Sequence, residues 1–356
     1  MPHSLDVPLH QPEISANYVL ILLDYLQEKA SVDADHFLVG LGLDRDLVAR
    51  EDSMVPMATF LMLMEEAAAY VGDPNLGLHY YEDLNFQDIG IFGYAVLNAG
   101  TLGEAFALAS RYYCLFQSDV ELKVSTSGDT AELSYQITAR SLPYSRQDSE
   151  MTIAALVSMA RLFLGTDWQP DLVCFQHAAP ADTGEHHRLL CPRVHFNQPL
   201  NKFSFPITLL DAPVSSADAK LSRSLQATLD QLLTLSQLPS ENDWLKALQE
   251  QIIERLSDGV PGIEDIAGQL HMSGRTLQRK LQKEGLGFKD LVENVRHQLA
   301  TNYLSASRLS MQDIAFLLGY SELSSFHRAF KRWTGNSPAE YRKRHRSQEE
   351  SSSQEA

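Results

Sequence analysis

Ile263-Glu-Asp-Ile-Ala-Gly-Gln-Leu-His-Met-Ser273 is answered 48 residues later by Met311-Gln-Asp-Ile-Ala-Phe-Leu-Leu-Gly-Tyr-Ser321. Asp265, Ile266, Ala267, Leu270 and Ser273 recur as Asp313, Ile314, Ala315, Leu318 and Ser321. A repeat at fixed offset implies two copies of one supersecondary unit. Each copy has a short helix with Ile and Leu on one face. A small residue, Ala267 or Ala315, sits where helices must cross closely. A tight turn follows, and then a serine where a helix needs an N-cap. Ser273 and Ser321 are therefore expected to cap. His271 stands where Gly319 stands, so the first turn need not share the geometry of the second.

The helix after each serine is the expected reader of a helix-turn-helix. Leu277 and Leu281 face the core of the first, leaving Arg275, Thr276, Gln278, Arg279 and Lys280 on other faces. Phe326 and Phe330 face the core of the second, leaving Ser324, Ser325, His327, Arg328 and Lys331. Leu277 matches Phe326 at a separation of 49, so the second copy carries one extra residue at its helix start. Arg279 and Arg328 correspond in that register. Arg suits guanine O6 and N7, Gln suits adenine, and hydroxyls suit phosphates. Between the copies, Phe288–Leu304 reads as one helix with Leu291, Val295, Leu299 and Tyr303 buried. Trp244, Leu248, Ile252 and Leu256 mark a leading helix, with Ser240 as its expected cap.

Charge separates this segment from the rest. The 356 residues carry a net charge of −17. Residues 263–346 hold 14 basic and 8 acidic side chains, a net of +6, whereas residues 1–262 hold 15 and 35, a net of −20. A basic module on an acidic body points to phosphate binding by one end only. The run Arg342-Lys-Arg-His-Arg346 reads as a helix end near phosphates.

The remainder mixes periods. Asn17–Lys29, Pro56–Tyr70, Thr101–Phe116 and Met151–Leu164 read as helices. Val120, Leu122 and Val124 alternate with polar residues, and after Ser127-Gly128-Asp129 so do Ala131, Leu133, Tyr135 and Ile137, which predicts a β-hairpin. Leu172–Phe175, Val194–Phe196 and Phe203–Phe205 are short strands. The fold class is thus an α+β N-terminal domain followed by an all-α C-terminal domain with two helix-turn-helix units joined by a long helix. The expected domains are 1–206, a connector 207–239, the double unit 240–346, and an unfolded Ser/Gln/Glu tail 347–356. Within the connector, Leu221, Leu225, Thr228, Leu232 and Leu235 follow a four-three spacing. That stripe suits either a dimerisation seam or packing on the helix's own domain.

On these residues the C-terminal part, from about Asp243 to Arg346, resembles the AraC-type transcription regulators. The most specific stretch is Leu318-Gly319-Tyr320-Ser321, then Phe326-His-Arg328-Ala-Phe330-Lys-Arg-Trp333-Thr-Gly335-Asn-Ser-Pro338-Ala-Glu-Tyr341-Arg342. Arg275-Thr-Leu-Gln-Arg279-Lys-Leu281, with Gly285 and Phe288, fits as well. The N-terminal part is similar to the effector domain of the branch containing ornithine- and arginine-utilisation regulators and ToxT. The resembling residues are Asp73-Pro-Asn-Leu-Gly-Leu78, Gly90-Ile-Phe-Gly-Tyr94, Thr101-Leu-Gly-Glu-Ala105 and Val194-His-Phe196. The resemblance implies two readers in successive major grooves of a bent promoter site, activation through RNA polymerase, and control by a small effector or a homodimer.

Other chemistry finds little footing. His177, His186, His187 and His195 lie near Cys174 and Cys191, but no metal-ligand spacing holds. No phosphate-cradling glycine loop and no singled-out nucleophile is present. Cys114, Cys174 and Cys191 are odd in number and far apart, which fits a reducing compartment. Val19–Leu23 is the best apolar run and is broken by Asp24, so no membrane span is expected. No secretory signal is expected either. The expectation is a cytoplasmic regulator, not an enzyme, without cofactor or metal. An enzyme merely localised by a DNA-binding module is the alternative.

Overall fold

The computed structural model describes residues 11–30, 37–38, 43, 45–50, 53–82, 86–142, 144–214, 218–236, 243–306 and 309–344. The expected cap at Ser240, the boundary at 239–240 and the tail 347–356 lie outside these residues. Two compact units are present. One holds 12–139 and 145–238, and the other holds the chain from 239 onward with Gln11 and 140–144.

The N-terminal unit is α+β, as its mixed periodicity predicts. Strand β1 (Glu13–Ser15) pairs with β2 (Met54–Pro56), and each leads into a helix, α1 (Ala16–Ala30) and α3 (Met57–Val71). The short helix α2 is Arg45–Val48. Helices α4 (Leu76–Glu82), α5 (Ile91–Leu97) and α6 (Leu102–Tyr112) follow. Thr101 caps α6 through the Glu104 amide. Gly93 is required where α5 passes the backbone carbonyl of Phe86, because a Cβ there would lie 1.7 Å from that oxygen.

The hairpin is β3 (Val120–Ser127) and β4 (Thr130–Ile137), turned at Gly128-Asp129 with Ser127 opposite Thr130. Leu122, Ala131, Leu133 and Tyr135 face inward, and the intervening residues are more exposed. Helix α7 (Arg146–Leu164), capped by Ser145, packs beside the hairpin. It is followed by β5 (Leu172–Cys174), α8 (Gly184–Leu189), β6 (Val194–His195) and β7 (Asn201–Pro206). The sheet order is β3-β4-β7-β5-β6, with only β5 and β6 parallel. Its core is aromatic, with Phe106 and Trp168 each in edge or tilted contact with Phe203 and Phe205.

Helix α9 (Ala219–Ser236) packs on this unit, but not with the stripe of four-three spacing. Ser222 and Leu229 are buried, and Asp230 accepts from Tyr112 Oη at 2.7 Å and pairs with Arg111. Leu221, Leu232 and Leu235 point outward, 41%, 42% and 62% exposed. The helix therefore packs on its own domain through a different face from the stripe.

Two of the four histidines grouped in the sequence meet a carboxylate, whereas His187 and His195 are exposed. His186 Nε2 lies 2.6 Å and His177 Nε2 3.2 Å from Glu150 Oε1, which also accepts from Arg146 Nε. Burial alone would raise the Glu150 carboxyl, but these partners outweigh it and hold it at about 2. Helix α4 is tied to α8 by His79, between Asp73 at 2.6 Å and Glu185 at 2.9 Å.

The C-terminal unit is helical. It comprises α10 (Asp243–Arg255), α11 (Ile263–Gln269), α12 (Gly274–Lys283), α13 (Phe288–Ala306), α14 (Met311–Leu317), α15 (Leu323–Thr334) and a short helix over 338–344. Ser337 and Glu340 bond reciprocally across its first turn, with Pro338 at the first helical position. One continuous core runs through both repeats, from Leu248, Ile252 and Leu256 through Leu277, Leu281, Val295 and Leu299 to Ile314, Phe326 and Phe330.

Candidate nucleic-acid interface

Each repeat forms a helix, a turn and a second helix, and the two turns agree bond for bond. His271 N–H donates to Gly268 and Met272 N–H to Ala267. Gly319 N–H donates to Phe316 and Tyr320 N–H to Ala315. His271 adopts the left-handed conformation at φ 53°, matching Gly319 at 72°. The histidine therefore does not change the turn. It bears the strain that a Cβ meets in this region.

Ser273 accepts from the Thr276 amide and caps α12, and Thr276 Oγ1 is bonded to Ser273 Oγ at 2.9 Å. Glu264 adds a second acceptor for the same helix start, at Gly274 N–H. Ser321 does not cap, contrary to the sequence reading. The N-cap of α15 is Glu322, and no side chain accepts from its first turn. The extra residue of the second copy falls just here, so the serine is displaced one position out of the helix. The leading helices show the reverse. Ser310 and Asp313 form a capping box on α14, whereas Gly262 caps α11 without a side chain.

With Leu277 and Leu281 buried, α12 leaves Arg275, Gln278, Arg279, Gln282 and Lys283 exposed. Thr276 is half-buried. Lys280, expected on the outer face, lies with its ammonium 5.1 Å from the centroid of the Trp244 ring of α10. On α15, Phe326, Ala329 and Phe330 are buried, and Ser324, Arg328, Lys331 and Arg332 are exposed. Arg328 donates to Ser325 at 3.1 Å, and Ser324 donates to Glu322 at 3.2 Å. His327 is half-buried beside Phe326, and its Nε2 is enclosed without a hydrogen-bond partner. The outermost faces therefore match in pairs: Arg275 with Ser324, Arg279 with Arg328, Gln282 with Lys331, and Lys283 with Arg332. Gln282, Lys283 and Arg332 are exposed positions that the sequence reading did not name. The four-three spacing onward from Arg275 and Arg279 leads to the first two.

The second unit is anchored by α13. Arg296, 6% exposed, donates from Nε to Leu318 O at 2.9 Å and from Nη2 to Gly319 O at 3.1 Å, and its guanidinium lies 4.4 Å over the Tyr320 ring. Burial, partly offset by Arg296, pushes the Tyr320 phenol up to about 12. Glu293 receives Arg332 and, at 3.2 Å, Trp333 Nε1. A Cβ at Gly319 would lie 2.1 Å from Leu256 O, so the turn admits only glycine.

Residues 32–214 match the arabinose-binding domain found at the N-terminus of AraC transcription regulators, and residues 266–344 match a helix-turn-helix domain. The chain belongs to the AraC-type family of helix-turn-helix transcription regulators. It is 32% identical over 286 residues to the ornithine utilization regulator of Pseudomonas aeruginosa, covering 80% of this chain and 83% of that protein. It is 31% identical over 326 residues to the HTH-type transcriptional regulator VirS of Mycobacterium tuberculosis, covering 89% and 93%. The crystal structure of the regulator CdpR from Pseudomonas aeruginosa aligns with 87% of this chain and 96% of its own, at 25% identity and TM-score 0.42. These relatives are regulators of transcription. Among the described residues no helix is long and apolar enough to cross a membrane.

Proposed function

We propose that the chain activates transcription by laying α12 and α15 into two successive major-groove segments of promoter DNA, under control of its N-terminal unit. The observation that carries this reading is the matched set of outward positions on the two helices, set in the basic part of an acidic chain. Arg279 and Arg328 occupy the same place in each set, away from the core, where a guanidinium suits guanine O6 and N7. Arg275, Gln278 and Gln282 extend the first face, and Ser324 and Lys331 the second. Thr276, Ser325 and Lys280 flank these faces and suit phosphates better than bases. His327, with Nε2 enclosed, is the weakest candidate for a base contact. Helix α13, 19 residues or about 28 Å long, is of the order of one DNA turn, about 34 Å.

The N-terminal unit would take a small effector, as its match to an arabinose-binding domain supports. The outward leucines of α9 suit a second copy of the chain. RNA polymerase is the expected partner at the promoter.

The test is binding of the full chain to its promoter and to random DNA. Arg279→Ala or Arg328→Ala should weaken promoter binding by roughly 1–3 kcal/mol and leave random DNA little changed if the side chain reads a base. Equal losses on both would assign a phosphate contact instead. Absence of promoter binding even at low salt would overturn the reading.

A further inference from the structure

Helix α4 meets α8 through an imidazole with both ring nitrogens engaged by carboxylates. His79 Nδ1 lies 2.6 Å from Asp73 Oδ2, and its Nε2 lies 2.9 Å from Glu185 Oε2. A carboxylate only accepts hydrogen bonds, and a neutral imidazole has one N–H to donate. A neutral His79 would therefore turn a lone pair toward a carboxylate oxygen at hydrogen-bond distance. With both carboxylates ionised, the arrangement is satisfied when both ring nitrogens carry protons, and His79 is then a cation.

The surrounding charges favour that form. Asp73 Oδ1 accepts from the Asn75 amide at 2.9 Å, and Lys29 of α1 lines the same surface cleft as Asp73. Glu185 Oε2 also accepts from Arg188, one turn further along α8. Arg188 first, and His79 second, hold the Glu185 carboxyl at about 2, so it brings no proton to the ring. On the other elements packed against α4, Arg146 of α7 is engaged by Glu150 and by Asn75 Oδ1, and Glu65 of α3 accepts from Ser145 and the Gln147 amide. Burial alone would lower the His79 imidazole, but Asp73 and Glu185 outweigh it and raise it above its ordinary value.

We propose that Asp73, His79 and Glu185 form a proton-operated clasp, which holds α8 on α4 while His79 is protonated and releases it when the ring becomes neutral. Helix α8 is six residues long, and its His186 is fully buried 2.6 Å from Glu150 of α7. A displacement of Glu185 thus acts on the neighbouring residue and, through it, on the interior of the unit. Linkage fixes the direction. The clasp is closed at and below about pH 6.5, where a free imidazole takes up its proton, and is lost as the pH rises through the raised value. It makes proton concentration an input to the N-terminal unit, separate from any effector.

The experiment follows the full chain from pH 6 to pH 9 by two readouts. The first is the histidine ring resonances in NMR, with His79→Gln to assign the signal. The His79 ring should keep both protons above pH 6.5, where a free imidazole has given one up. The second is amide exchange at His187 and Leu190, whose N–H groups donate to Thr183 and His186 across α8. Corrected for the intrinsic effect of pH, their protection should fall several-fold as the ring titrates. Glu185→Gln should remove this response, because an amide can donate to Nε2 of a neutral ring and still accept from Arg188. In that variant α8 should stay protected at pH 9.

A His79 ring that titrates at or below pH 6.5, or α8 protection equal at pH 6 and pH 9, would overturn the clasp. So would an undiminished pH response in Glu185→Gln. Should that variant fail to fold, the ring titration and the exchange of the unaltered chain still decide between a clasp and a fixed structural contact.

Discussion

The two helix-turn-helix units share one turn and one core, yet each is fastened at a different place. The first secures the start of its second helix, through Ser273 and Glu264. The second leaves that start uncapped and secures its leading helix with the Ser310–Asp313 box. It holds the far end of α15 through Arg332 and Trp333 on Glu293. The same backbone is thus reached by different distributions of bonds. A repeat conserves geometry more strictly than it conserves the contacts that produce it.

The largest expected effect lies at the shared turn. Gly319→Ala meets both the left-handed φ and a backbone carbonyl that cannot move aside, so the C-terminal unit should lose roughly 3–5 kcal/mol in urea unfolding. An effect as small as that of a surface substitution would mean that the turn and Leu256 are not packed as described. Next is Arg296→Met, which keeps the apolar stem and strands the carbonyls of Leu318 and Gly319. A loss of about 2–3 kcal/mol is expected, with faster amide exchange in the second turn than in the first. Equal acceleration in both turns would erase the asymmetry.

Ser273→Ala should cost about 1 kcal/mol, whereas Ser321→Ala should stay within about 0.5 kcal/mol, measured by the same unfolding. Comparable costs would restore Ser321 as a cap. His271→Gly should have the opposite sign. Relief of left-handed strain should outweigh the added chain entropy by about 0.5–1 kcal/mol. Any loss would show that the histidine side chain contributes a contact of its own.

Much of this was legible in the sequence because a repeat displays its own register. The offsets of 48 and 49 located both turns, both buried pairs and the extra residue. They did not show that this residue removes Ser321 from the cap, because a cap depends on a shift of a single position. Arg296 was illegible for another reason: its partners are carbonyls 22 and 23 residues away, and a carbonyl leaves no mark in the sequence. Lys280 stands one residue before Leu281, on the flank of α12, and only the approach of Trp244 shows where it goes. In the N-terminal unit the hairpin was readable from Ser127-Gly128-Asp129 and its alternating flanks. The order of the remaining strands was not, since β5 and β6 are too short to carry a period.

The outward positions of α12 have a further consequence. Arg275, Arg279, Gln282 and Lys283 are exposed, and the caps and buried leucines that hold the helix are other residues. Changes at these four places would cost the fold little. If these positions read the promoter as proposed, a descendant of this protein could acquire a new target by drifting there, one residue at a time, without first repairing its own interior.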